Sequence, residues 1–252
     1  MTVAPWFIIA AALVVLLLVA VIVSFVFAVR RARSGGDATP VVSLTLTLST
    51  IVAGLSVLRG TLATIAASVN SQVDLPVRAA DFWPFDAPGL TVSGQRADVV
   101  TGGFGTAQVG VEGLSTPVRV LWSTHVALEG LLPAIIASLV AVVCFQLLRG
   151  ATFAPVVSRA ALVTAGAILI AGLGFEITGA VAGALASEEV FAYSGVEALG
   201  YPDTWTPLEM LPRADGSWDI QLWPIGAALG FAALAAVFRY GSRLQRDTEG
   251  LV

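Results

Sequence analysis

Long apolar runs, separated by short polar or charged stretches, dominate the pattern along this chain. The runs cover residues 5–29, 41–69, 126–148, 160–186 and 222–238. A helix needs roughly 20 apolar residues to cross about 30 Å of hydrocarbon. The last run is somewhat short unless it begins at Ile220. The pattern therefore predicts an all-α integral membrane protein built as a five-helix transmembrane bundle.

The second run carries two conflicting signals. Residues 42–48 alternate between apolar and polar, as in a strand, and Arg59 interrupts the later part. An open strand cannot satisfy its backbone hydrogen bonds in lipid, however, and the run continues for the length of a helix. Residues 41–69 are therefore predicted to form the second spanning helix.

Arginines cluster beside alternate ends of the apolar runs. Cytoplasmic segments are enriched in basic residues, which sets the orientation. The pattern predicts an N-terminus outside and a C-terminus inside. The predicted cytoplasmic set is Arg30, Arg31, Arg33, Arg149, Arg159, Arg239, Arg243 and Arg246, and the longer outer segments hold Arg78, Arg96, Arg119 and Arg213.

These boundaries divide the chain into three parts. Residues 1–33 are predicted as an additional N-terminal transmembrane helix, not a cleaved signal peptide, because the basic residues follow the apolar run. Residues 34–40 form a cytoplasmic linker. Residues 41–252 form a four-helix membrane domain with outer loops at 70–124 and 188–221.

The first outer loop has a different pattern from the helices. Prolines interrupt it, and residues 90–93, 106–112 and 117–122 show short alternating or β-branched stretches. Such stretches beside Gly-rich turns are typical of strands. We expect a small, partly β extracytoplasmic cap.

Composition supports the membrane class and excludes several functions. The chain is 57% hydrophobic and only 12% charged, outside the range of soluble globular proteins. A net charge of −4 argues against nucleic acid as a partner, because phosphate binding needs a basic face. Cys144 is the single cysteine, so the chain has neither an internal disulfide nor a cysteine metal site.

Three ionisable residues lie within apolar runs, where they are costly and are candidates for function. They are Arg59, Glu129 and Glu176. At 1.5 Å per residue, all three lie near the outer boundary of the hydrocarbon. One hypothesis is that Arg59 pairs with Glu129, Glu176 or both. The alternative is that Arg59 extends to outer headgroups and the glutamates face outer water.

His125, the only histidine, lies at the same level. A proton-sensing role beside Glu129 is conceivable, and a hydrogen-bonding role at the membrane interface is the simpler interpretation. One histidine without a cysteine or a second histidine does not make a metal site. Ser123 lacks the further groups of a catalytic arrangement. No cofactor and no enzymatic activity are predicted.

Two small-residue motifs suggest where helices approach closely. Gly179 and Gly183, and likewise Gly226 and Gly230, are spaced four residues apart. The fourth and fifth helices could pack at these glycines. In a chain rich in Gly and Ala, a chance occurrence explains the spacing equally well.

The turn between the third and fourth runs and the C-terminal tail together resemble a known family. The turn contains Arg149, Gly150, Phe153 and Arg159, and the tail contains Arg239, Gly241, Arg243 and Leu244. The pattern is similar to a bacterial multi-pass membrane family known as domain of unknown function 2975, over about residues 41–252. The resemblance implies four helices and, in some relatives, a link to a small DNA-binding regulator. It implies no reaction, and residues 1–33 would be an addition.

The sequence therefore predicts a function only in outline. We expect a non-enzymatic partner-binding, sensory or accessory protein of the bacterial cell membrane, in contact with the lipid bilayer. The outer cap and the cytoplasmic turn and tail would be the faces that contact a protein partner. The alternative is a small-solute or ion transporter, for which Pro133 is a candidate helix break.

Overall fold

The computed structural model describes residues 39–82, 102–150, 154–195 and 211–249. These residues form four helices and one two-stranded sheet: α1 (Thr39–Val69), β1 (Gln72–Phe82), β2 (Phe104–Glu112), α2 (Thr116–Leu148), α3 (Pro155–Val190) and α4 (Trp223–Glu249). Each of the four helices found in this part of the chain is long and apolar enough to cross a membrane. The predicted first helix at residues 5–29, the stretch 90–93 and Phe153 lie outside the described residues.

Residues 42–48, whose alternating pattern resembles that of a strand, are helical and belong to α1. The hydroxyl of Thr45 donates to the carbonyl of Val41 at 2.9 Å, and Thr47 and Thr50 make the same contact one turn back. A hydroxyl that bonds to its own helix leaves no polar group unsatisfied in lipid. Alternating Thr and Leu therefore fit a helix here.

The helices extend beyond the predicted apolar runs. The prediction of a strand-like stretch at residues 117–122 is wrong, because α2 already begins at Thr116. Pro117 lies in the first turn, where backbone N–H groups have no acceptor within the helix, so that the missing N–H of proline costs no hydrogen bond. At the other end of the chain, α4 continues to Glu249, so that the tail residues Arg239, Gly241 and Arg243 are helical.

The small sheet is an antiparallel ribbon, and its first strand was not predicted. Residues from Gln72 opposite Glu112 to Arg78 opposite Thr106 are paired in register. Val73, Leu75 and Val77 point to one side and are buried against Leu114, Val118 and Ala186. This alternation was hidden by Pro76, which is tolerated because β1 is an edge strand.

The residues that the structure describes group into two compact units within the following bounds. Unit 1 comprises Met1–Val57, Pro133–Ile168 and Gly226–Val252. Its described core contains Leu139, Ala161 and Ala235, with Phe231 packed against them. Unit 2 comprises Leu58–Leu132 and Leu169–Ile225, and contains the ribbon and its core.

Large apolar side chains cover much of the helix surfaces. Leu55 is 60% exposed, Val163 71% and Ile170 77%. Soluble monomers rarely expose contiguous apolar surface on this scale. The exposed surface of the helices is therefore suited to contact with lipid.

Candidate functional site

Several polar side chains of the helices in unit 2 make specific contacts. Arg59 of α1 lies with its Nη2 atom 3.6 Å from Oε1 of Glu129 on α2. The two side chains are 82% and 51% exposed. An ion pair as open as this contributes at most about 1 kcal/mol in water.

A close backbone contact lies one residue beyond this ion pair on each helix. A Cβ atom added to Gly60 would come within 2.9 Å of the Cα of Gly130. Gly60 is buried, whereas most of α1 is exposed. The absence of both side chains therefore lets α1 and α2 approach closely beside Arg59 and Glu129. The spacing of glycines does not predict this pair, although each glycine directly follows a charged residue in an apolar run.

Glu176 of α3 has different partners. Its carboxylate accepts a hydrogen bond from the indole Nε1–H of Trp223 at 2.6 Å and one from the backbone N–H of Gln221 at 3.3 Å. Trp223 is the first residue of α4, and Gln221 lies two residues before it. Of the two carboxylates considered for Arg59, Glu129 is thus the one it contacts, and Glu176 binds the chain entering α4.

His125 lies inside a stack of three rings. The centroid of its imidazole is 4.7 Å from that of Trp122 and 4.2 Å from that of Phe175, with interplanar angles of 18° and 20°. Its Nδ1 lies 2.9 Å from the backbone carbonyl oxygen of Phe175. Because a carbonyl only accepts, Nδ1 carries the proton in this contact. The histidine therefore joins α2 to α3 by stacking and by a hydrogen bond.

The glycines of the predicted packing motifs have neighbours other than one another. A Cβ on Gly179 would meet the His125 ring at 2.5 Å, and one on Gly183 would lie 3.2 Å from the carbonyl oxygen of Pro76. A Cβ on Gly226 or Gly230 would meet no atom within 4 Å. The first motif thus makes room for a ring of α2 and for the ribbon.

Two further polar residues attach the ribbon to the helices, and neither was singled out from the sequence. Ser187 is fully buried; its hydroxyl accepts the backbone N–H of Arg78 at 2.7 Å and donates to the carbonyl of Gly183 at 2.6 Å. Arg119 donates to the carbonyl oxygen of Asn70 at 2.5 Å, just after the end of α1. A serine directly after an apolar run does not by itself predict a contact, and only the folded ribbon shows the role of Ser187.

The ribbon also borders an apolar groove of about 550 Å³. Its lining includes Val77 and Ala79 of β1, Thr106, Ala107, Val109 and Val111 of β2, and Phe191 and Pro212. Within the described residues, β2 pairs with β1 alone, whereas the far edge of β1 is bridged at Ala79 by Ala214. Most of β2 is exposed. The groove therefore lies beside the ribbon, and from Thr106 to Glu112 no further strand pairs with β2 among the described residues.

The residues of the predicted turn and tail lie in unit 1. Arg149 stacks its guanidinium 4.3 Å above the ring of Phe145, and Gly150 has a φ of 71°, which suits a glycine at the end of a helix. Arg159 lies in the first turns of α3, and Arg239, Gly241, Arg243 and Leu244 lie in α4. Among the residues described, no group of three or more metal-binding side chains occurs.

No protein-family model, no curated protein and no solved structure matches this chain.

Proposed function

We propose that this chain is a non-enzymatic, multi-pass protein of the bacterial plasma membrane that binds a partner protein through its extracytoplasmic ribbon. In this proposal five helices cross the bilayer, with the N-terminus outside and the C-terminus inside. The arginines beside the predicted cytoplasmic ends support that orientation. The resemblance to domain of unknown function 2975 is part of the proposal, and it is in keeping with a protein that acts through contacts.

The apolar groove along β2 is the observation that carries the proposal. An exposed strand edge offers unpaired N–H and C=O groups, and an extended segment of another protein can add to it as a further strand. The apolar lining of Ala107, Val109 and Phe191 would receive alternate side chains of that segment. We therefore expect the occupant to be an extended, apolar-alternating segment of a membrane or envelope protein.

Photo-crosslinking in living cells tests this proposal. A photoreactive phenylalanine analogue at Ala107, which lines the groove, should give a discrete crosslinked product after irradiation. The same analogue at Gln108 is the matched control, because Gln108 is exposed on the same strand but does not line the groove. A product at Ala107 that is lost in the variant Thr106→Arg would support the proposal. Equal products at both positions, or none at Ala107, would contradict it.

A small-solute or ion transporter, the alternative derived from the sequence, has less support. Transporters place interrupted helices and polar groups near the middle of the bilayer. Pro133 lies inside the continuous helix α2, and the carboxylate of Glu176 is held by Trp223 and Gln221. Flux through proteoliposomes that disappeared with Glu176→Ala, while the variant stayed folded, would favour the transporter instead.

A further inference from the structure

A second cavity, of about 570 Å³, lies in unit 1 between the first turns of α3 and the middle of α4, from Ala232 to Arg243. Three arginines line it: Arg159 from α3, and Arg239 and Arg243 from α4. Arg239 and Arg243 are one helical turn apart and therefore share a face of α4. No aspartate or glutamate is among the lining residues.

The three arginines of this cavity are not held in ion pairs with described residues. The first turn of α3 contains no acidic residue either, so the partial positive charge of that helix end adds to theirs. The site is thus built to receive an anion.

The cavity is polar at one end and apolar at the other. Ser158, Arg159, Ser242 and Arg243 line the polar end. Leu162 on α3 and Ala232 on α4 line the apolar end, and Ala232 lies about 16 Å along the helix axis from Arg243. The small side chains of Ala232, Ala235 and Ala236 leave the space open. This order of guanidinium groups followed by apolar surface matches a phosphate-bearing headgroup followed by the first carbons of acyl chains.

We infer that this cavity binds the phosphodiester headgroup of an anionic glycerophospholipid. Guanidinium groups bind phosphate oxygens in bidentate geometry, and basic pockets between transmembrane helices on the cytoplasmic side are typical sites for such headgroups. The volume lies within the range of specific small-molecule sites. The inference requires only that the helices lie in a bilayer, and it is independent of the partner proposed for the ribbon.

Native mass spectrometry of the full chain in detergent tests the inference, with dioleoylphosphatidylglycerol and dioleoylphosphatidylcholine as probes. The wild type should bind the anionic lipid at least tenfold more tightly than the zwitterionic one. The double variant Arg159→Gln/Arg239→Gln should lower that preference about tenfold. The control Arg149→Gln removes a charge from the neighbouring turn but not from the cavity, and should change the preference by less than about twofold.

A second variant keeps all charges and fills the space. Ala236→Leu places a larger side chain in the cavity, and should weaken retention of the anionic lipid while leaving the positive charge of this region unchanged. Two results would overturn the inference: equal binding of both lipids by the wild type, or equal losses in Arg149→Gln and the double variant. Glycerol 3-phosphate separates the two sources of phosphate, because tight binding of this soluble ester without preference for the lipid would overturn the lipid assignment.

Discussion

Gly60 and Gly130 lie so close together that a methyl group on the first would come within 2.9 Å of the Cα of the second. The atom that it would meet belongs to the backbone and cannot rotate away. Within a bilayer the hydrophobic effect does not drive helices together, because lipid tails are as apolar as the side chains. Close backbone contacts of this kind stabilise helix association through van der Waals packing instead. The stability of the α1–α2 contact should therefore depend on this pair.

The first prediction is that Gly60→Ala destabilises the protein by about 1–3 kcal/mol, because the added methyl group forces the helices apart. Equilibrium unfolding in micelles with increasing sodium dodecyl sulfate, followed by tryptophan fluorescence, measures the change. Gly54→Ala is the matched control in the same helix, since a Cβ there would meet no atom within 4 Å. Equal effects of the two substitutions would show that Gly60 does not mediate packing.

The second prediction concerns Gly179 and the ring that faces it. Gly179→Ala should destabilise the protein by about 1–3 kcal/mol, because His125 is held between Trp122 and Phe175 and cannot yield. Gly166→Ala, in the open part of the same helix, should have little effect.

Removal of the ring should reverse that loss in part. His125→Ala by itself loses the stack and the hydrogen bond to Phe175, and is destabilising. In the His125→Ala background, however, Gly179→Ala should cost much less than in the wild type. Additive effects in the unfolding experiment would mean that the two residues do not interact.

The third prediction is that the ion pair between Arg59 and Glu129 is weak and sensitive to salt. Arg59→Gln and Glu129→Gln should show a coupling free energy of about 0.2–1 kcal/mol in a double-mutant cycle, as is usual for open pairs. The exchange Arg59→Glu/Glu129→Arg should recover most of the stability lost in either single charge reversal. Because both side chains are exposed, the coupling should decrease in high salt. A coupling of zero at low salt would refute the pair.

The fourth prediction concerns pH. The carboxylate of Asp215 accepts the hydroxyl of Ser217 at 2.6 Å and its backbone N–H at 3.0 Å. These two bonds, with a smaller contribution from Arg78, lower the pKa of Asp215. The pKa of Asp215 is therefore lower in the folded than in the unfolded chain, where it lies near 3.9. These contacts stabilise the fold fully when the pH is above the pKa of the unfolded chain. The stabilisation is lost as the pH falls through the pKa of the folded chain.

A titration of the Ser217 amide by nuclear magnetic resonance in micelles measures this shift. Its chemical shift should change with a midpoint below that of a free aspartate. Ser217→Ala removes the hydroxyl and should raise the midpoint toward the ordinary value. An unchanged midpoint in this variant would show that another group sets the pKa.

The helices follow from the sequence because length and apolar character suffice to predict a spanning helix. Their ends do not follow as well. Residues 117–122 have β-branched side chains that favour a strand, but the chain continues from a proline that suits a first helical turn. The sequence pattern does not predict strand β1, because Pro76 interrupts it. Val73, Leu75 and Val77 nevertheless alternate around this proline and are buried.

The polar contacts were less predictable than the helices. The depth of Arg59, Glu129 and Glu176 along their helices places all three at one level, but depth alone does not tell which side of each helix faces a neighbour. Glu176 binds Trp223, and that choice depends on the rotation of α3. The same applies to Gly179, whose spacing suggests a glycine partner but whose neighbour is His125.

Only two residues of α1, Ser49 and Gly60, are buried, and both are small. The small buried fraction of α1 affects how the protein is assembled during biosynthesis. A helix with only two fully buried residues has few neighbours to replace lipid while it leaves the insertion machinery, so its apolar character contributes most to its partitioning into the bilayer. We expect α1 to integrate as an independent unit and to join α2 afterwards, with Gly60 as the point of late docking.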